Sequence, residues 1–400
     1  MQFYFDDHVL DVDRRELRHA GALVAMEPQV FDLLVYLLKN RDRVVSKDDL
    51  IDGVWDGRIV SESTLTSRIT AARKAIGDTG KDQRLIRTVS RKGIRFVGEA
   101  RDSGQRPEAL GAADAARPQA PAVQHQIHFC TASDGVRIAY ANVGEGPPLL
   151  KAANWLNHLQ YDWESPIWSH LLRELAAEHQ LIRYDERGNG LSDWDVEDIS
   201  FEAFVRDLES VVDATGIDRF ALLGISQGCA VSITYAVRHP ERVTHLVLYG
   251  GYARGRRKRG SPAETEQADA LLTLMRQGWG QENPAFRQIF TSLFVPGANR
   301  EQVQWYNDLQ RRTASPENAV RIRQTMNDID VADILPQVKV PTLVLHCRDD
   351  AVVPFDEGRI LAAGIRGARF VALEGRNHLI LEGDPALPRF LDEMRNFLRR

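Results

Sequence analysis

Three residue types that together make a nucleophile, a base and an orienting acid follow one another along this chain. They are Ser226 in "LLGISQGCA", Asp350 in "HCRDDAVVP" and His378 in "EGRNHLILEGDP". A serine hydroxyl alone is a poor nucleophile. An imidazole that takes its proton, itself oriented by a carboxylate, makes it able to attack an acyl carbon. Gly224-Ile225-Ser226-Gln227-Gly228 is a G-x-S-x-G sequence, preceded by the strand-like "RFALLG" and followed by the helix-forming "CAVSITYAVRHPE". That strand, turn and helix context gives the short pattern its meaning. Glycines are needed there because strand and helix approach too closely for side chains, and Ser226 then projects from the turn into a pocket. Asp350 and His378 each fall just past an apolar run.

A second chemistry is written in charge. The net charge is -5, yet Arg58 to Arg95 holds ten Lys/Arg (Arg58, Arg68, Arg73, Lys74, Lys81, Arg84, Arg87, Arg91, Lys92, Arg95) against Glu62, Asp78 and Asp82. A local excess of this kind suits a phosphate backbone.

The elements that must carry these residues fall into two sets. From about residue 127, short apolar runs ("IHFCTA", "VRIAYANVG", "PPLLKAAN", "QLIRYDE", "RFALLGIS", "THLVLYG", "PTLVLHCRDD", "ARFVALEG") alternate, from the fourth onward, with helical stretches such as "FEAFVRDLESVVDATG". Alternating β and α units predict a mostly parallel sheet covered on both faces, with ligands at the carboxyl ends of its strands. Before them, "MQFYFDDHVLDVDRRELRHAGALVAM" reads as short strands, and "EPQVFDLLVYLLKN" sets Val30, Leu33, Leu34, Leu37 and Leu38 on one helical face. "SKDDLIDGVW" starts with a Ser46 cap, and "SESTLTSRITAARKAIG" has Ser61 as N-cap, Leu65, Ile69, Ala72 and Ile76 toward the core and Gly77 at its end. "LIRTVSRKGIRFV" is a hairpin with Gly93 in its turn. Three helices and a basic hairpin make a winged helix-turn-helix.

The blocks "FDLLVYLLKN", "VVSKDDLIDGVW", "STLTSRITAARKAIGD" and "LIRTVSRKGIRFVG" resemble the OmpR/ToxR-type winged-helix DNA-binding domain over essentially all of residues 1–98. The resemblance implies that the third helix enters the major groove of double-stranded DNA while the wing touches the backbone or minor groove. Thr64, Ser67, Arg68, Ala71 and Lys74 lie opposite the core-facing residues, Arg68 being the expected base-edge or close phosphate contact. Arg91, Lys92 and Arg95 would serve the wing. The receiver domain of the two-component members does not precede the helix-turn-helix here, so control is expected from elsewhere in the chain.

The second half resembles an α/β-hydrolase. Its order Ser, Asp, His, its G-x-S-x-G, "YDERGNGLSD" and "HPERVTHLVLYG" all fit that family. The resemblance implies Ser226 as nucleophile, His378 as general base and then acid, and Asp350 as the orienting carboxylate, with Asp349 as the alternative. The Gln227 N–H would supply half of the oxyanion hole. "LLKAANWLNHL" has Ala153-Asn154 where the family has His-Gly, leaving the Trp155 N–H as the second donor. Haloalkane-dehalogenase or epoxide-hydrolase chemistry is disfavoured, because those relatives carry an aspartate where Ser226 stands.

The expected layout is a winged helix (α+β) over 1–100, a flexible linker over 101–124 and an α/β-hydrolase domain over 125–400 with a helical lid at about 251–333. The linker composition, "RDSGQRPEALGAADAARPQAPAVQ", gives an average reach of roughly 25 to 30 Å. Trp155, Trp279, Phe290 and Trp305 are expected at the ligand pocket, and "ARGRRKRG", Ala253 to Gly260, reads as a solvated loop. Three cysteines without ligand spacing read as buried thiols, with neither metal nor cofactor. No apolar run is long enough to span a bilayer, and the first residues lack a signal peptide's pattern, so a cytoplasmic protein without membrane contact is expected. The function these features suggest is a one-component transcriptional regulator, acting as a homodimer. Its hydrolase-like domain would bind a small apolar ester, lactone or amide, with slow hydrolysis of that ligand left open. The other reading is a working serine hydrolase with an accessory or autoregulatory DNA-binding domain.

Overall fold

The computed structural model describes residues 2–12, 14–19, 22–24, 26–41, 43–55, 60, 62–79, 82–89, 92–98, 100–102 and 126–399. The chain divides into two compact units, Met1–Arg117 and Pro118–Arg400.

The first unit opens with an antiparallel meander of β1 (Gln2–Phe5), β2 (His8–Asp11), β3 (Glu16–His19) and β4 (Ala22–Val24). Alternation puts Phe3, Phe5, Leu10 and Leu17 inward. Helices α1 (Pro28–Lys39), α2 (Lys47–Trp55) and α3 (Glu62–Ala75) follow, then the wing strands β5 (Ile86–Val89) and β6 (Gly93–Phe96). Leu33, Leu34, Leu37 and Leu38 of α1 are fully buried against Leu65, Ala72 and Ile76. Ser46 caps α2 reciprocally: its Oγ accepts the Asp49 N–H (3.0 Å) and the Asp49 carboxylate accepts the Ser46 N–H (2.9 Å). The Ser61 cap expected on α3 lies outside the described residues.

Strand β7 (Ala100–Asp102) returns to pair antiparallel with β1, Phe3 opposite Asp102 and Tyr4 opposite Arg101. Arg101 and Asp102, assigned to the linker by composition, therefore belong to the sheet of the first unit. Backbone pairing to β1 holds residues that have no apolar side chain to anchor them. The rest of the expected linker lies outside the described residues.

The second unit runs β8 (Gln126–Thr131), β9 (Arg137–Val143), β10 (Pro148–Lys151), α4 (Leu159–Trp163), α5 (Ser169–Glu178), β11 (Gln180–Tyr184), α6 (Phe201–Thr215), β12 (Phe220–Ile225), α7 (Gly228–Arg238) and β13 (Val243–Tyr249). Four helices, α8 (Pro262–Gly278), α9 (Ala285–Phe294), α10 (Arg300–Thr313) and α11 (Pro316–Asp328), fill the stretch where a lid was expected. Then come β14 (Thr342–Cys347), α12 (Phe355–Gly364), β15 (Arg369–Leu373) and α13 (Ala386–Leu398).

The eight strands form one sheet in the order β15-β14-β13-β12-β10-β11-β9-β8, antiparallel only where β9 meets β11 and β8. Strands β12 and β14 are buried at every residue, as expected of parallel strands covered on both faces. The chain steps from β10 to β11 on one side and then to β12 on the other, which places a switch point, and hence a crevice, at the carboxyl ends of these strands. Among the described residues, no helix is long and apolar enough to cross a membrane.

Candidate functional site

The loops at that carboxyl edge bring the three sequence-distant residues to one end of the sheet. Ser226 follows β12 with φ 54°, a left-handed conformation that costs a non-glycine residue about 1–3 kcal/mol. Its neighbours show why the turn persists. A Cβ on Gly224 would lie 2.7 Å from the Cys229 Cα, and one on Gly228 would lie 2.6 Å from the Ala153 carbonyl oxygen. The Ser226 N–H bonds to the Tyr249 carbonyl at 2.9 Å, pinning the turn to β13.

His378 and Asp350 are joined, Nδ1 to Oδ2, at 2.6 Å, and both side chains are fully buried. The other Asp350 oxygen accepts the N–H groups of Val352 (2.8 Å) and Val353 (3.0 Å). Burial pushes this carboxyl upward, but the His378 ring and the amide donors outweigh it and hold the group below the ordinary carboxylate range. A carboxylate so held keeps the His378 proton on Nδ1. Nε2 is buried without a hydrogen-bond partner among the described residues, so its lone pair is the one left to accept a proton. The Phe294 ring meets the His378 ring edge-on at 5.2 Å, and the Phe294 carbonyl accepts the His378 N–H at 2.8 Å. Asp349 is exposed, which leaves Asp350 as the residue beside the imidazole.

The Ala153-Asn154-Trp155 loop passes directly beside Gly228 and hence beside the Gln227 amide. Asn154 accepts from Lys151 Nζ at 2.5 Å, Trp155 is buried, and Leu156 takes φ 56°. A bend of this kind at the end of β10 turns the backbone toward the elbow.

Behind the elbow lies a layer of buried titratable groups that the motif pattern did not single out. Glu186 accepts from the Gln227 side chain and from Asn189, each at 3.0 Å. Burial pushes the Glu186 and Asp185 carboxyls up to about 8 and lowers Lys151 to about 8. The signal was present in "YDERGNGLSD", where two acids precede the arginine. A carboxyl raised from its ordinary value of 4.5 to about 8 contributes stability below the lower value that is lost as pH rises through the upper one. Glu186→Gln should therefore gain on the parent by on the order of 3 kcal/mol between pH 5 and pH 8. Denaturant unfolding of both proteins at the two pH values checks this; parallel slopes would count against a neutral Glu186.

A narrow cavity of about 20 Å³, room for about one water, touches Ser226. Its walls include Tyr252, Arg256, Arg259, Arg323 and Asn327. Trp155, Trp279, Phe290 and Trp305, expected there, are not among its lining residues. Instead Trp279 packs edge-on against both Trp155 (5.7 Å) and Phe290 (5.6 Å), and Trp305 stacks on Tyr161 (4.6 Å), because the four lid helices need an apolar core of their own. The "ARGRRKRG" run is likewise no solvated loop throughout. Residues Arg256–Lys258 form a 3-10 turn that folds back, burying the Arg256 side chain and leaving that of Arg259 8% exposed.

In the first unit, Ser67, Thr70 and Lys74 form the exposed stripe of α3, with Thr66 beside it. Thr64 and Ala71 are half-buried, and Arg68, 25% exposed, is ion-paired to Glu27 at the head of α1. The stripe is thus rotated away from the one expected to carry Arg68 at its centre. Arg73, counted in the positive excess, is buried and donates to the Ile86 carbonyl and the Thr88 hydroxyl, tying helix to wing. On the wing, Lys92 and Arg95 are exposed, Arg95 donating to the Arg41 carbonyl at 3.0 Å; Arg91 lies outside the described residues.

Residues 161–385 match the model of the alpha/beta hydrolase fold, and residues 21–96 match that of the C-terminal domain of transcriptional regulatory proteins. The chain is similar to AB hydrolase superfamily protein YisY of Bacillus subtilis, 27% identical over 266 residues that cover 63% of this chain and 92% of that one. It is 28% identical over 289 residues to non-heme chloroperoxidase CPO-A1 of Kitasatospora aureofaciens, covering 68% and 99% of the two chains. A solved hydrolase from Pseudomonas aeruginosa PA01 shares the fold, with a TM-score of 0.58 and 24% identity over 68% of this chain and 98% of that one.

Proposed function

The chain belongs to the alpha/beta hydrolase fold family and carries ahead of that fold the DNA-binding domain of transcriptional regulators, and from this premise we propose a one-component regulator whose hydrolase domain is the sensor. A small ester, lactone or amide enters the cavity at Ser226, and its occupancy is read out at DNA. The observation that carries this reading is the combination, in one chain, of a DNA-binding domain and a strained Ser226 elbow with an Asp350–His378 pair at 2.6 Å.

In this proposal Ser226 Oγ attacks the acyl carbon, His378 Nε2 takes its proton and returns it to the leaving group, and Asp350 stabilises the imidazolium. The Gln227 and Trp155 amides stabilise the tetrahedral oxyanion. On the DNA side, Ser67, Thr70 and Lys74 face the groove, with Lys92 and Arg95 on the backbone. Ligand occupancy alters transcription only if the two DNA-presenting arrangements bind ligand with different affinity. A homodimer joined through the hydrolase domains supplies such arrangements.

The unpartnered His378 Nε2 also favours a second reading, in which Ser226 turns substrate over and the DNA-binding domain locates or autoregulates the enzyme. Both are tested on the full chain with a fluorophosphonate probe read by intact mass, beside Ser226→Ala, together with binding to the DNA upstream of its own reading frame. One label per chain that disappears in Ser226→Ala is expected, with DNA binding kept in both proteins. An unlabelled chain that still binds DNA would leave a receptor without chemistry; a labelled chain that binds no DNA would sink the regulator.

A further inference from the structure

The wall of the cavity at Ser226 is rich in donors and poor in acceptors. Three guanidinium groups line it, two from the turn after β13 and one from lid helix α11. Arg259 is neutralised, with Glu264 at 3.0 Å and Glu357 at 3.2 Å. Among the described residues Arg256 has only neutral acceptors, Gln267 at 2.7 Å and the Val352 carbonyl at 3.0 Å.

Arg323 is the unusual group. It is 5% exposed and makes no hydrogen bond or ion pair with any described residue, and its Nε is buried and unpartnered. Its guanidinium carbon stands 5.7 Å over the Trp155 ring, beside the oxyanion loop. Burial, and then the neighbouring Arg256, lowers it to about 10, so it is still a cation at neutral pH. Asn327 Nδ2, on the same wall, is a second buried donor without an acceptor among the described residues. A guanidinium held in this way is costly unless something completes it, and a planar oxyanion matches its fork.

We propose that the cavity at Ser226 recognises a carboxylate-bearing acyl compound, its carboxylate seated on Arg323 with help from Arg256 and Asn327, and its ester or amide carbonyl at Ser226. This deepens the reading given above and rests on Ser226 marking the ligand site. It replaces the apolar ligand expected from sequence by an anionic one, and it makes α11, which supplies Arg323, the lid element that senses occupancy.

The test uses the full chain carrying Ser226→Ala, so that turnover cannot consume the probes, and isothermal calorimetry with monomethyl glutarate and dimethyl glutarate. The monoanion should bind at least about tenfold more tightly than its neutral diester, one charge-assisted pair being worth that much or more. Adding Arg323→Met should abolish the preference, whereas Arg323→Lys should keep part of it. In the absence of ligand, Arg323→Met should raise the unfolding midpoint, because it removes an uncompensated buried charge, and this shows that the variant folds. Equal affinity for the two esters, no measurable binding of the monoanion, or a preference that survives Arg323→Met overturns the proposal. Preference for the monoanion in a protein whose wild type is not labelled by the fluorophosphonate supports it and sinks only the catalytic reading.

Discussion

Replacing Arg187 by methionine is expected to cost the hydrolase domain about 3–5 kcal/mol, the usual penalty for removing one partner of a buried ion pair. Arg187 has no exposed side-chain surface and spans two carboxylates, Asp134 at 2.6 Å and Asp207 at 2.7 Å, the latter also fully buried. Asp207 accepts the Arg187 backbone N–H as well, at 3.0 Å. One side chain thus clamps the turn between β8 and β9 to helix α6 and to the loop after β11. That loop carries Glu186, which holds the Gln227 side chain at the elbow. Burial already pushes the Asp207 carboxyl up to about 6 even with Arg187 beside it. Without the guanidinium it must take a proton or remain a lone buried charge. Guanidinium unfolding of Arg187→Met measures the loss. The double variant with Asp207→Leu should recover a large part of it, since an apolar pair of similar volume has no charge to strand. A single variant within about 1 kcal/mol of the parent would mean that the clamp is not structural.

The serine turn and the placement of Asp350 and His378 were legible in sequence because each is local. A strand, a two-residue turn and a helix sit side by side around Ser226, and Asp350 and His378 follow strands of apolar residues by three and five positions. All eight strands of the second unit announced themselves in the same way, while their spatial order, with β10 between β12 and β11, did not. What failed were inferences about exposure. The run at Arg254–Arg259 reads as a solvated loop until Gln267 on the next helix, and Glu357 and the Val352 carbonyl about a hundred residues on, fold against it. Arg323 sits among ordinary charged helix residues in "ENAVRIRQTMND", and nothing local marks it as unpaired. Arg68 lies on a groove-facing side by helical spacing, but Glu27, 41 residues earlier, holds it. Position in the expected lid, or beside its mouth, puts Trp279, Phe290, Trp305 and Trp155 near the pocket, but Trp279 packs between Trp155 and Phe290 instead.

The largest effect on chemistry is expected from Asp350→Asn, which should slow Ser226 phosphonylation and any ester hydrolysis by about 10,000-fold while leaving DNA binding unchanged. The reason lies in how the carboxylate is anchored. One oxygen is fixed by the N–H groups of Val352 and Val353, so an amide there must keep its oxygen on that side and turn its NH₂ toward His378 Nδ1. An NH₂ donating to Nδ1 forces the ring proton onto Nε2 and removes the lone pair that would take the Ser226 proton. Folding should change little, because the packing and both amide bonds survive. Asp349→Asn is the matched control: that residue is exposed, and its replacement should leave the labelling rate within about twofold, the small change typical of a surface position. Labelling rates for the two variants, taken with promoter binding, separate relay from scaffold. If Asp350→Asn labels within tenfold of the parent, the 2.6 Å pair is structural and Ser226 is activated without that carboxylate.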